Sequence, residues 1–187
     1  MALYPIPYAN LETLVGEYLS NDESEATAEL INQLRAARKR GWLRRSELEA
    51  VCYWKSPRTI HHIRANTPAK IRAATSAAIA TRSERLRFEQ LTQLKGVSAP
   101  MASAILMLLY PKRYGVIDIR VWQVLIDVGT VTKNPRGVGF GFNNWYQYLM
   151  TIRHLAKRFD VKARDIERTL FLVHKVYQKG VLYELGS

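Results

Sequence analysis

Apolar residues recur every three or four positions almost from end to end of this chain, and they nowhere alternate for long with polar ones. That spacing predicts amphipathic helices and no sheet. Leu11, Leu14, Val15, Tyr18 and Leu19 form a first stripe over 11–20, behind Asn10, a residue type suited to an N-cap. Leu30, Ile31 and Leu34 predict a helix over 25–40 that stops at Gly41. Ser46 and Glu49 have the spacing of a capping box ahead of a face made by Leu48, Val51 and Cys52. Thr67-Pro68 reads as a cap and first-turn proline for a helix carrying Ile71, Ala74, Ala78 and Ile79 inward. Ser83 opens the next, with Leu86, Leu91 and Leu94 apolar; a tight Lys95-Gly96-Val97-Ser98 connection then leads into 99–109, which Pro111 ends. Asp118 stands where an N-cap would start 119–128. Residues 129–142, with glycines at 137, 139 and 141, are the one long irregular segment. Asn143 or Asn144 caps a helix bearing Trp145, Tyr148, Leu149, Ile152, Leu155 and Phe159, and a last helix carries Ile166, Leu170, Val173 and Tyr177 to Gly180. The fold class is all-α.

The chain has 187 residues, 48% of them apolar, so one core forms without metal or disulfide support. Residues 1–187 read as one compact unit. Cys52 is the single cysteine, which excludes an intramolecular disulfide and a four-cysteine cluster and fits a reducing, cytoplasmic compartment. Met1 to Asn10 has no basic residue and no long apolar run, so a secretory signal is not expected there. The most apolar stretch, Ala102 to Tyr110, is too short to span a bilayer. His61, His62, His154 and His174 lack ligand spacing, so no metal site is expected.

Charge narrows the partner. Lys and Arg number 28 against 16 Asp and Glu, a net charge of +12, which points to a polyanion. A basic soluble protein without such a partner is the plain alternative. An anionic membrane surface fits less well, because no helix splits into a basic and an apolar face.

The segment from Leu91 to Leu125 is the informative one. Gly96 permits a turn that a side chain would obstruct, Ser98 is placed to cap the second helix, and Pro100 lies in its first turn. Small residues Ala102, Ser103 and Ala104 let the two helices approach. A hairpin of this kind offers free N–H groups and a helix N-terminus to a phosphate oxygen. By itself the same pattern also describes a plain helical hairpin, and Asp118 a plain cap.

Leu91-x-x-Leu94-x-Gly96-Val97, then Ala102, then Pro111 to Gly115, then Val116-Ile117-Asp118, resembles the helix-hairpin-helix base-excision DNA glycosylases, in which the hairpin is followed by a Gly/Pro loop and an essential aspartate. The resemblance covers about a fifth of the chain. It implies a two-lobed helical fold around a DNA-binding cleft, with 83–128 as hairpin and aspartate segment and helix 11–20 packed with 143–180 as the second lobe. It implies Asp118 as the catalytic carboxylate, double-stranded DNA as partner, and a monovalent cation held by hairpin carbonyls as the only cofactor to consider. Ser98 stands where members usually have a second glycine, and Pro100 where bifunctional members have a lysine nucleophile. The type implied is therefore monofunctional: it hydrolyses the N-glycosidic bond of a damaged or mispaired base and leaves the strand intact. A non-catalytic helix-hairpin-helix DNA-binding protein is the alternative, and a helical module for acidic protein partners a third.

A carboxylate near the sugar stabilises its positive charge and orients the attacking water. The base must first leave the stack, which needs a pocket and a wedge. Tyr53-Trp54-Lys55-Ser56-Pro57-Arg58 brings rings and cations to one turn and is the candidate for both, with Tyr53, Trp54, Lys55 and Arg58 as its contact residues. Trp54 and Trp122 fit core packing as well as a pocket. Lys95, Gly96, Val97, Ser98 and Pro100 are expected to anchor the DNA backbone, with Lys112, Arg113 and Arg120 as flanking phosphate contacts.

Overall fold

The computed structural model describes residues 4–180; residues 1–3, part of the Met1–Asn10 segment considered above, and 181–187 lie outside the described residues. Eleven α-helical segments follow in order: α1 Leu11–Tyr18, α2 Glu25–Gln33, α3 Arg35–Arg40, α4 Arg45–Lys55, α5 Ile60–Arg64, α6 Pro68–Ala80, α7 Glu84–Thr92, α8 Ala99–Leu109, α9 Ile119–Asp127, α10 Phe142–Arg158 and α11 Ala163–Tyr177. A single 3₁₀ turn, Pro57–Thr59, joins α4 to α5. Among the described residues there is no strand beyond an isolated bridge position, so the protein is all-α. None of its described helices is long and apolar enough to cross a membrane.

Most expected caps form. The side chains of Asn10, Thr67 and Ser83 accept N–H bonds from Thr13, Lys70 and Leu86, each satisfying a donor that the helix itself cannot. Three boundaries differ. The 25–40 helix opens by one turn at Leu34 (φ −78°, ψ −2°), although Leu34 N–H still reaches Leu30 O and Arg38 N–H still reaches Leu34 O, both at 3.0 Å. Helix α4 begins at Arg45, its N-cap Arg44 falling two residues before the expected Ser46, because Glu47 accepts from both Arg44 N–H (2.6 Å) and the Arg40 guanidinium (2.5 Å). Helix α10 begins at Phe142, drawn in by packing of that ring on Phe88 and Trp145, and Asn144 reaches back to accept from Gly141 N–H at 3.3 Å. Leu86, at 50% exposed, lies outside the core, and Phe88 takes its expected place.

Helix α8 is the axis of the molecule: every residue but Pro100 is buried. It packs against α2, α3, α4, α7 and α10. A helix apolar on all sides belongs inside, and shortening a core side chain such as Leu106 to alanine would cost about 2–5 kcal/mol. A second group forms on α11, which packs on α1, α9 and α10. Ser20 N–H donates to Thr169 Oγ1 and Tyr4 N–H to Tyr177 O, tying the N-terminal end to α11.

Candidate functional site

The α7–α8 hairpin turns on Gly96, which adopts φ +81°; a Cβ there would stand 2.8 Å from His62 Cβ. Asn66, almost fully buried, clamps the turn by accepting from Lys95 N–H and donating to Lys95 O, both at 2.9 Å. The N–H groups of Gly96 and Ser98 find no acceptor among the described residues. Ser98 occupies the N-cap position of α8, but its hydroxyl makes no cap bond, contrary to the expected capping role. Val97 is buried, so only its backbone is available at the surface, while Lys95 and Ser98 are exposed. Two hairpin carbonyls are engaged within the protein, Leu94 O by Val97 N–H and Lys95 O by Asn66, and each keeps a lone pair.

Asp118 arrives beside this hairpin on a braced strand of chain. Ser103 Oγ donates to Pro100 O (2.8 Å) and accepts from Ile117 N–H (3.1 Å), and Tyr148 OH donates to Val116 O (3.1 Å). Gly115 is required by proximity, since a Cβ would stand 2.6 Å from Glu167 Cβ and 2.7 Å from the Tyr148 hydroxyl oxygen. The two carboxylate oxygens then divide their tasks. Oδ1 caps α9, accepting from Arg120 N–H and Val121 N–H at 3.0 and 3.1 Å. Oδ2 faces Lys55 Nζ at 3.4 Å, in a pair whose side chains are only 17% and 19% exposed.

This pair separates two cavities. The outer one, a groove of about 680 Å³, has the hairpin residues Gly96, Ser98 and Pro100 on one wall, the turn from Ser56 to Thr59 on another, and Gly137 to Phe140 on a third. The inner one, about 380 Å³, lies between Trp54, Val116 and α11. Lys55, Asp118 and Arg120 line both. In the wall of the inner cavity, Arg164 is held by Glu23 (2.6 Å) and Glu167, and Arg168 also donates to Glu23 (3.1 Å). Burial pushes the Glu167 carboxyl up, against the pull of Arg164. Glu23 falls below its usual range, because Arg164 and Arg168 outweigh its partial burial.

The segment 129–141 is ordered by its own hydrogen bonds. Asn134 O accepts from Gly137 N–H and from Trp122 Nε1, both at 2.9 Å, and Asn134 Nδ2 donates to Val138 O at 2.8 Å. Gly137 and Gly139 take φ of +63° and +62°, and Val138 between them projects as a half-exposed apolar tip at the mouth of the groove.

The structure therefore brings together Asp118, Lys55, Arg58, Arg120 and the hairpin, and places Trp54 in the inner cavity with its indole N–H on Thr27 Oγ1. Others go elsewhere. Trp122 is fully buried, its N–H spent on Asn134 O, and it belongs to the core. Tyr53 is exposed, its hydroxyl accepting from Arg64, and lines neither cavity. Lys112 and Arg113 follow the C-terminal end of α8, about 16 Å from the hairpin by helix length. There they line a separate cavity of about 640 Å³ with Arg35 and Arg38, so they do not flank the hairpin. Sequence reasoning missed Val138 and the α11 face made by Arg164, Glu167, Arg168, Phe171 and Lys175. The 3–4-residue spacing of that face was a readable signal, masked by the apolar stripe beside it. Among the described residues no three His, Cys, Asp or Glu side chains converge as metal ligands.

Comparison with known proteins returns no match: no protein-family model, no curated protein and no solved structure is significantly similar to this chain.

Proposed function

We propose that this protein is a monofunctional DNA N-glycosylase with a two-lobed helix-hairpin-helix architecture, the α8 group forming one lobe and the α11 group the other. The observation that carries the reading is the divided carboxylate: Asp118 spends one oxygen on its helix and holds the other at the boundary between a basic groove and a cavity with room for a base. Duplex DNA would lie along the outer groove, with a phosphate on the free N–H groups of Gly96 and Ser98 and further contacts from Lys95, Arg58 and Arg120. Val138 would enter the stack where the base leaves, and the base would pass into the inner cavity. There the C1′–N bond breaks, the base leaves with the electron pair, and Asp118 stabilises the sugar cation and takes a proton from the attacking water. The nucleotide's phosphate offers the Lys55 ammonium a second anion as Asp118 turns to the sugar. A monovalent cation on the hairpin carbonyls would support the anchor, and no step depends on it.

Duplexes each carrying one lesion, assayed for abasic sites, test the proposal. Release of at least one base by wild type and its loss in Asp118→Asn support it; wild-type rates in the variant overturn it. Because Pro100, at the position of the lysine nucleophile of bifunctional members, cannot form an imine, borohydride is expected to trap no covalent complex; efficient trapping would show that another amine acts as nucleophile. A second reading, DNA binding without catalysis, is favoured by the same Lys55 pair, which neutralises the carboxylate at rest. Salt-sensitive duplex binding with no release from any lesion would select it.

A further inference from the structure

The inner cavity carries an asymmetric charge. Lys55, Arg120, Arg164, Arg168 and Lys175 line it against only Asp118 and Glu167. Pairing removes most of these: Lys55 is matched by Asp118, Arg164 by Glu167 and Glu23, and Arg168 by Glu23. Arg120 and Lys175 have no carboxylate partner among the described residues, and the buried Arg120 Nε has no hydrogen-bond partner there.

Cations also stand near the aromatic rings of the cavity. The Arg120 guanidinium and the Lys175 ammonium stand 5.4 and 5.0 Å from the Phe171 ring centre, and the Arg164 guanidinium 5.8 Å from that of Trp54. A positively charged base gains most from an open, electron-rich ring. Here Arg120 and Lys175, unpaired among the described residues, already stand at the Phe171 ring and would repel it. A neutral base bearing carbonyl oxygens meets the opposite conditions: Arg120 and Lys175 are donors without acceptors of their own, and arginine and lysine offer donors only. The volume, about 380 Å³, is ample for a single base.

We propose that the inner cavity selects neutral, carbonyl-bearing bases, the products of deamination or oxidation, and rejects cationic N-alkylated purines. The proposal rests on the glycosylase reading above and names its substrate class. It is tested with matched duplexes carrying uracil, hypoxanthine, 8-oxoguanine or 7-methylguanine, the last a cation within the duplex. At least one neutral lesion should be released roughly 10-fold or more faster than 7-methylguanine, the scale of one like-charge contact in a partly screened site. Lys175→Gln, at an exposed position, should narrow that ratio by relieving part of the repulsion. Release of 7-methylguanine at an equal or greater rate overturns the substrate class while leaving the glycosylase reading intact. If no lesion is released, the catalytic reading falls, and the preference is read from binding alone. Inosine should then quench Trp54 fluorescence, identified by its loss in Trp54→Phe, at lower concentration than 7-methylguanosine. The reverse order overturns the proposal.

Discussion

The divided carboxylate of Asp118 allows its two roles to be separated by two substitutions. Asparagine keeps a carbonyl oxygen where Oδ1 accepts from Arg120 and Val121, so the cap of α9 survives. What it loses is the charge facing Lys55. At 3.4 Å with about four-fifths of both side chains buried, that pair lies between an exposed ion pair, worth about 0–1 kcal/mol, and a buried one, whose disruption costs about 3–5 kcal/mol. A loss of about 2 kcal/mol is expected, or about 4–8 °C in Tm for a chain of this size. Alanine removes the cap as well, which adds about 1 kcal/mol and a further 2–4 °C or so. Base release behaves differently, because it depends on the charge and not on the cap: both variants should lose about 100-fold or more. The assay pairs thermal melting by circular dichroism with single-turnover abasic-site formation on the most active lesion. Equal melting temperatures for the two variants would refute the division of the oxygens. Wild-type release by folded Asp118→Asn would refute the catalytic role.

Four further outcomes can be measured. Gly96→Val forces a β-branched residue into φ +81° with its Cβ 2.8 Å from His62 Cβ, a backbone cost of about 1–2 kcal/mol; it should weaken duplex binding about 10-fold by fluorescence anisotropy, in a protein that remains folded, and equal affinity would remove the hairpin as anchor. Wild-type affinity should fall linearly on a log–log plot against salt, with a slope near −0.9 per phosphate engaged. Val138→Gly should slow base release from duplex but not from single-stranded DNA, since only the duplex has a stack to fill; equal slowing on both would exclude a wedge. Finally, burial, with the charge of Arg120 adding to it, lowers His174 from 6.5 to about 4. Between those values the unfolded chain binds a proton that the folded chain refuses, so this contribution is complete above pH 6.5 and is lost as pH falls toward 4. Thermal melts from pH 7 to 4.5 should fall more steeply for wild type than for His174→Gln, by on the order of 2–3 kcal/mol at the acid end, and parallel curves would exclude His174 as the source.

The sequence by itself determined the helical class and most of the boundaries, because both rest on short-range physics. The spacing of Leu11, Leu14 and Val15, the Thr67-Pro68 start and the Asp118 cap each concern residues within one or two turns. The hairpin was legible for the same reason: Gly96 announces a positive φ locally, whatever packs around it. Tertiary structure decided everything that depends on which faces meet. Trp122 and Trp54 are alike as sequence, yet Asn134 O, twelve residues on, draws one into the core, and Thr27, from α2, leaves the other at a cavity wall. Lys112 and Arg113 are near Asp118 in sequence but lie beyond the far end of α8, because a rigid helix separates its two ends by its full length. Lys55 reaches Asp118 across 63 residues, and the charge of the inner cavity comes from a face of α11 whose neighbours only the fold supplies. Such juxtapositions are set by long-range packing of rigid helices, to which no local pattern in the chain corresponds.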